Sequence, residues 1–277
     1  MHRDHLRGVS REFVIANAFL VATQAALVAL PGRGIPAALA RFGGSAWSLV
    51  LPLSIAVVVA AIAAEPATAD GLTWLALFAI PPLAAAALGW AMRGARPWLA
   101  LLAAPLLVLA VAGTGSLAGD AAAAALTALS CVTLGRLLAG AVPGLALKAG
   151  IVAMAAIDAA LVFGEQLQAP NAVLNAAVPA AGLPQLQFLD LHHASMGYGD
   201  VFVAGVLGGV LARERRGQAA AALLVLACSV AWDTLFLAVD TVPATVPIAV
   251  ALLLLEGARL VRPDRQRGFA TMSSTTS

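Results

Sequence analysis

Apolar runs of about 20 residues recur along this chain, and each is long enough to cross a hydrocarbon core of about 30 Å as a helix. They fall near 12–30, 46–64, 71–91, 97–117, 121–141, 147–164, 196–212, 219–239 and 243–260. A segment surrounded by lipid must satisfy its own backbone hydrogen bonds, which leaves helices or closed barrels as the spanning structures. Runs of this length predict an all-α polytopic membrane protein with about nine transmembrane helices. Composition agrees: 61% of residues are hydrophobic and 11% charged, where soluble domains carry about 25% charged residues.

The chain reads as a single membrane domain over 1–277, with six runs within 1–164, a connection over 165–195 and three runs within 196–260. The small polar residues of 268–277 predict a disordered tail. The leading MHRDHLRGVSRE has the charge of a signal peptide, but the apolar run behind it is too long and no cleavage site follows, so it is read as a helix. Cys131 and Cys228 sit in separate runs without CxxC spacing, which predicts two buried thiols rather than a disulfide or metal site. The net charge of +2, with basic residues confined to loops, gives no nucleic-acid footprint. The partner that composition implies is the bilayer, and nothing in the sequence specifies a partner subunit.

Lysines and arginines concentrate in cytoplasmic connections. Arg33, Arg41, Arg93, Arg96, Arg136, Lys148, Arg213, Arg215, Arg216, Arg259, Arg262, Arg265 and Arg267 all fall on one side of a nine-helix arrangement. The opposite connections carry Glu65, Asp70, Asp120, Glu165, Asp190 and Asp240. This asymmetry predicts a cytoplasmic C-terminus and an external N-terminus, against which Arg3, Arg7 and Arg11 stand as exceptions. The alanine-rich composition points to an integral protein of a prokaryotic plasma membrane.

Two carboxylates lie inside apolar runs, where a charge is costly and calls for a working role. Asp158 is about seven residues, or roughly 10 Å, from the outer end of the sixth run. Asp200 enters the seventh run from the same side, roughly 6 to 9 Å deep at that rise. Two acids close together in a medium of low dielectric do not both ionise easily, so one keeps a proton while the other takes one from water. Aspartic proteolysis needs that division of labour. The other reading of the same residues is a pair of neutral acids hydrogen-bonded to backbone or to hydroxyls of neighbouring helices.

The residues around both acids carry a resemblance. Asp158 opens DAALVFG, with Val162 and Phe163 four and five residues on, and Gly197, Tyr198, Gly199 and Asp200 spell GxGD. Pro243, Ala244 and Thr245 head the ninth run. In this order the three motifs resemble those of the GxGD intramembrane aspartyl proteases, the presenilin and signal peptide peptidase group. The resemblance covers roughly 148–260; the first five runs agree only in number and character. It implies a presenilin-like bundle without cofactor or metal, with Asp158 and Asp200 catalytic and Gly197, Tyr198, Gly199, Pro243, Ala244 and Thr245 at the substrate. It further implies transmembrane helical substrates, of type II orientation given the predicted topology. The chain departs from the family in having Ile157 where a tyrosine precedes the first aspartate, and Thr245 where a leucine closes the third motif.

Peptide hydrolysis requires the substrate helix to unwind; the resemblance implies that the extended segment adds to a strand, and Pro184–Asp190 is the segment that would offer the edge. Gly205, Gly208 and Gly209 suit close helix packing. Asp233 matches no motif and reads as a neutral, hydrogen-bonded acid or the lining of a water cavity, the alternative being a group that tunes the Asp158–Asp200 pair. His192 and His193 read as interfacial histidines, and Arg136 as a side chain snorkelling to the interface. Two other functions fit the intramembrane acids: an ion-coupled secondary transporter using Asp158, Asp200 and Asp233, and a prepilin-peptidase-like GxGD protease.

Overall fold

A computed structural model describes residues 11–32, 43–191, 194–237, 239 and 241–261. The expected tail at 268–277, the histidine pair His192 and His193, and Arg3 and Arg7 lie outside the described residues. The helices are α1 (Arg11–Ala29), α2 (Val50–Ala64), α3 (Thr68–Ala86), α4 (Ala103–Ala112), α5 (Leu117–Ala141) and α6 (Gly144–Phe163). After them come α7 (Gln168–Ala176), strands β1 (Phe188–Asp190) and β2 (Ser195–Gly197), then α8 (Tyr198–Arg213), α9 (Gln218–Trp232) and α10 (Val246–Val261). Tight 3-10 turns lead into α2 and α4 and extend α9 through Asp233–Leu237; a π turn, Ala87–Ala91, closes α3.

The protein is an all-α membrane protein by the length and apolarity of its helices. Among the described residues six helical stretches are long and apolar enough to cross a membrane: Arg11–Ala29, Ser45–Ala64, Thr68–Ala91, Leu117–Ala141, Gly144–Phe163 and Gln218–Phe236. The other three expected runs are shorter. Pro97–Ala112, α8 and α10 each give 16 residues of helix. Local chemistry shortens the last two: Ser195–Gly197 is drawn into a strand before α8, and the segment containing Pro243 precedes a turn at Ala244–Thr245 before α10. The 165–195 connection contains a helix, α7, that hydrophobic run length did not predict.

Helices α5 and α8 form the centre. Every residue of α8 from Val203 to Ala212 is buried, as is most of one side of α5. Glycine makes their contact possible: a Cβ on Gly205 would lie 2.4 Å from the Cys131 carbonyl oxygen, and one on Gly135 would lie 2.3 Å from the Gly205 carbonyl carbon. Gly208 approaches α1 in the same way, 2.5 Å from the Leu27 carbonyl oxygen to a hypothetical Cβ. Backbones this close gain dispersion contacts that larger side chains would prevent. Cys131 and Cys228 are both free; Cys131 is buried as expected, whereas Cys228 is only half-buried. At the periphery Leu53, Val57, Leu75, Phe78, Leu101 and Val108 are exposed, a surface suited to lipid.

Most basic side chains among the described residues gather at one end; Arg11, which opens α1, is the exception, and Arg33, Arg41, Arg262, Arg265 and Arg267 lie outside the described residues. Lys148, at the start of α6, pairs with Glu214 at 2.5 Å and Glu256 at 3.2 Å, and Arg216 and Arg259 also pair with Glu256. Arg213 donates to the Ala139 and Val142 carbonyls at the end of α5. Arg136 corrects its expected snorkelling: it is only 5% exposed. Its guanidinium donates to the Ala91 and Trp90 carbonyls and sits 4.7 Å from the Trp90 ring, so it caps the end of α3 instead of reaching the interface.

Candidate active site

The β1–β2 hairpin decides where α8 starts. Its antiparallel register sets Phe188 opposite Gly197, Leu189 opposite Met196 and Asp190 opposite Ser195. Gly197, in an extended conformation, becomes the N-cap of α8, so Asp200 is the third helical residue. Its carboxyl lies against the Gly197 backbone N–H, the reach-back half of a capping box. A Cβ on Gly197 would sit 3.2 Å from Asp200 Oδ2, closer than nine in ten real contacts of that kind. Asp200 thus stands at a helix N-terminus, shallower in its helix than the run boundary at 196 implies. Pro184–Asp190 places only its last three residues in a strand, and these pair with β2.

Asp158 comes from the opposite direction, five residues before the end of α6, and is buried at 4% exposure. Thr245 holds it. The fully buried threonine hydroxyl donates to Asp158 Oδ2 at 2.5 Å, and the Thr245 backbone N–H also faces the carboxyl. The carboxyls of Asp158 and Asp200 lie within coulombic reach of each other. Both line a cavity of about 1240 Å³, as do Gly197, Tyr198 and Gly199. Pro243 and Ala244 complete that wall, whereas Thr245 contacts the Asp158 carboxyl instead.

Tyr198 is fixed at both ends of its ring. Its hydroxyl shares a 2.9 Å hydrogen bond with Ser130 on α5, and its ring lies nearly parallel to Phe202 with centroids 6.4 Å apart. A polar strut from α1 joins the two motif backbones: Gln24 Nε2 donates to the Ala244 carbonyl at 3.0 Å and to the Asp200 carbonyl at 3.4 Å. Ser229 Oγ on α9 donates to Gln24 Oε1 at 3.3 Å, so the buried glutamine has both ends of its amide partnered. Further along the same cavity Asp233 accepts a 2.6 Å bond from Asn17 Nδ2. Among the described residues no three His, Cys, Asp or Glu side chains gather as a metal site.

Sequence motifs pointed to neither Gln24 nor Asn17, though a signal was present. They are polar, they lie inside an apolar run, and their seven-residue spacing is two turns, which sets them on one face of the helix. Chemically, two carboxyls within coulombic reach hold one proton between them more readily than two charges. Such a pair can take a proton from water and donate one to a carbonyl oxygen. No family model, curated protein or solved structure matches this chain.

Proposed function

We propose that this chain is an intramembrane aspartic endopeptidase that hydrolyses a peptide bond within a transmembrane segment. The observation that carries this reading is the convergence of Asp158 and Asp200, from two helices of opposite direction, on one cavity within coulombic reach. The motif resemblance at both acids and at Pro243–Thr245 supports it. In the reaction, one aspartate accepts a proton from water as the water oxygen attacks the scissile carbonyl carbon. The other, protonated, donates to the carbonyl oxygen as negative charge develops there. Collapse of the tetrahedral species breaks the C–N bond: the nitrogen takes up the proton gained from water, and one hydroxyl of the tetrahedral carbon returns its proton to the other aspartate as the new carbonyl forms. The products are a carboxyl and an amine end. No cofactor or metal is required by this chemistry.

Substrates in this reading are single helices with a cytoplasmic N-terminus, the basic end of the bundle being the cytoplasmic one. The membrane is that of a prokaryotic cell, with the chain's N-terminus external. A substrate helix must unwind locally before its carbonyl can be attacked, because helical hydrogen bonds shield it. The test is incubation of the purified protein in lipid vesicles with a type II transmembrane peptide, the product ends being located by mass spectrometry. Wild-type protein is expected to cut inside the apolar segment and Asp158→Ala to leave the peptide intact. Equal cleavage by both removes the proposal.

A further inference from the structure

Asp233 lies outside the catalytic pair yet shares its cavity. It begins the 3-10 turn that extends α9, and its carboxyl is half-buried. Among the described residues its hydrogen-bond partner is a neutral amide, Asn17 Nδ2, and no cation pairs with it. Trp232, beside it in sequence, lines the same wall. A carboxylate in an apolar wall without a counter-cation is costly. A carboxylate and an indole together favour a positive ligand group.

Helix α1 measures how far this pair lies from the reacting bond. Gln24 touches the Asp200 carbonyl and Asn17 touches Asp233. Seven residues of helix separate the two contacts, about 10 Å at about 1.5 Å per residue. The direction is away from the arginine-rich end of the bundle, toward the N-terminus of α1. An extended peptide advances about 3.3 Å per residue, so about three residues bridge that distance.

We infer that Asp233, with Asn17 and Trp232, is a specificity subsite for a lysine or arginine side chain about three residues outward of the scissile bond. The inference rests on Asp158 and Asp200 being the reacting pair. The cation supplies the counter-charge that the described residues of the cavity wall lack, and a glutamate at the same place meets repulsion. In a substrate entering with its N-terminus at the basic end, this position is on the C-terminal side of the cut.

The experiment uses the full chain in lipid vesicles and matched transmembrane peptides with Lys, Leu or Glu three residues outward of the cleaved bond. Wild-type kcat/KM is expected to be about tenfold higher for Lys than for Leu, and lowest for Glu. In Asp233→Asn, which keeps shape and an amide for Asn17, the Lys-to-Leu ratio falls toward one. In Asp233→Lys the Glu peptide overtakes the Lys peptide. Moving the lysine one residue at a time along the peptide should place the maximum at the third position. Equal wild-type cleavage of all three peptides, or a lysine preference that survives Asp233→Asn, overturns the subsite and leaves the protease reading standing. Cleavage of none of them by wild type overturns both.

Discussion

Valine at 245 would keep the volume of threonine and delete only the hydroxyl that donates to Asp158 Oδ2 at 2.5 Å. A buried acceptor that loses a donor costs about 1–3 kcal/mol, and an orientation error at a reacting group appears in the rate. Thr245→Val is therefore expected to lower kcat about tenfold, with KM changed less than about twofold. Thr245→Ser, which keeps the hydroxyl, should recover to within about threefold of wild type by the same arithmetic. A valine variant with wild-type kcat would show that the hydroxyl does not position Asp158. Ile157 offers no hydroxyl beside Asp158, and Thr245 brings one from the approach to α10. Only the fold joins Ile157 and Thr245 at one carboxyl, since the two residues are 88 positions apart.

Between elements, the α5–α8 contact sets the geometry because α8 begins with the site. Gly205→Leu would force a side chain into the Cys131 carbonyl, where even a Cβ reaches 2.4 Å. Overpacking of this kind costs about 3 kcal/mol, since backbone must move. A thermal midpoint lowered by roughly 5–10 °C in detergent is expected at that cost. Gly257→Ala is the control: its Cβ would meet nothing within 4 Å, and the midpoint should stay within about 2 °C. Equal midpoints for both variants would mean that the close α5–α8 crossing is absent. At the end of α8 away from the site, Glu214 and Arg216 form a joint ionic cluster with Lys148 on α6 and Glu256 on α10. The elements supplying Asp158 and Asp200 are thereby tied at the end opposite the site, and α10 with them.

For the whole molecule, an all-α membrane protein follows from run length alone, because lipid leaves the backbone few choices. What run length could not supply was the starting point of each helix near the site. The seventh run begins at 196 by hydropathy, but Met196 and Gly197 are strand residues, and only cross-strand pairing with Leu189 and Phe188 moves the helix start to Tyr198. Likewise α7 lies in a segment of mixed polarity, and the Gln24 strut depends on three elements distant in sequence. Asp158 and Asp200 were legible because an acid in an apolar run has a cost that demands a reason. The proposed joint action of these two acids is tested by kcat/KM for Asp158→Asn, Asp200→Asn and the double variant on one transmembrane peptide. Each single substitution is expected to lower kcat/KM by about 1000-fold or more, and the double variant to fall no further. Losses that multiply in the double variant, or a single variant that cuts at the wild-type rate, would contradict it.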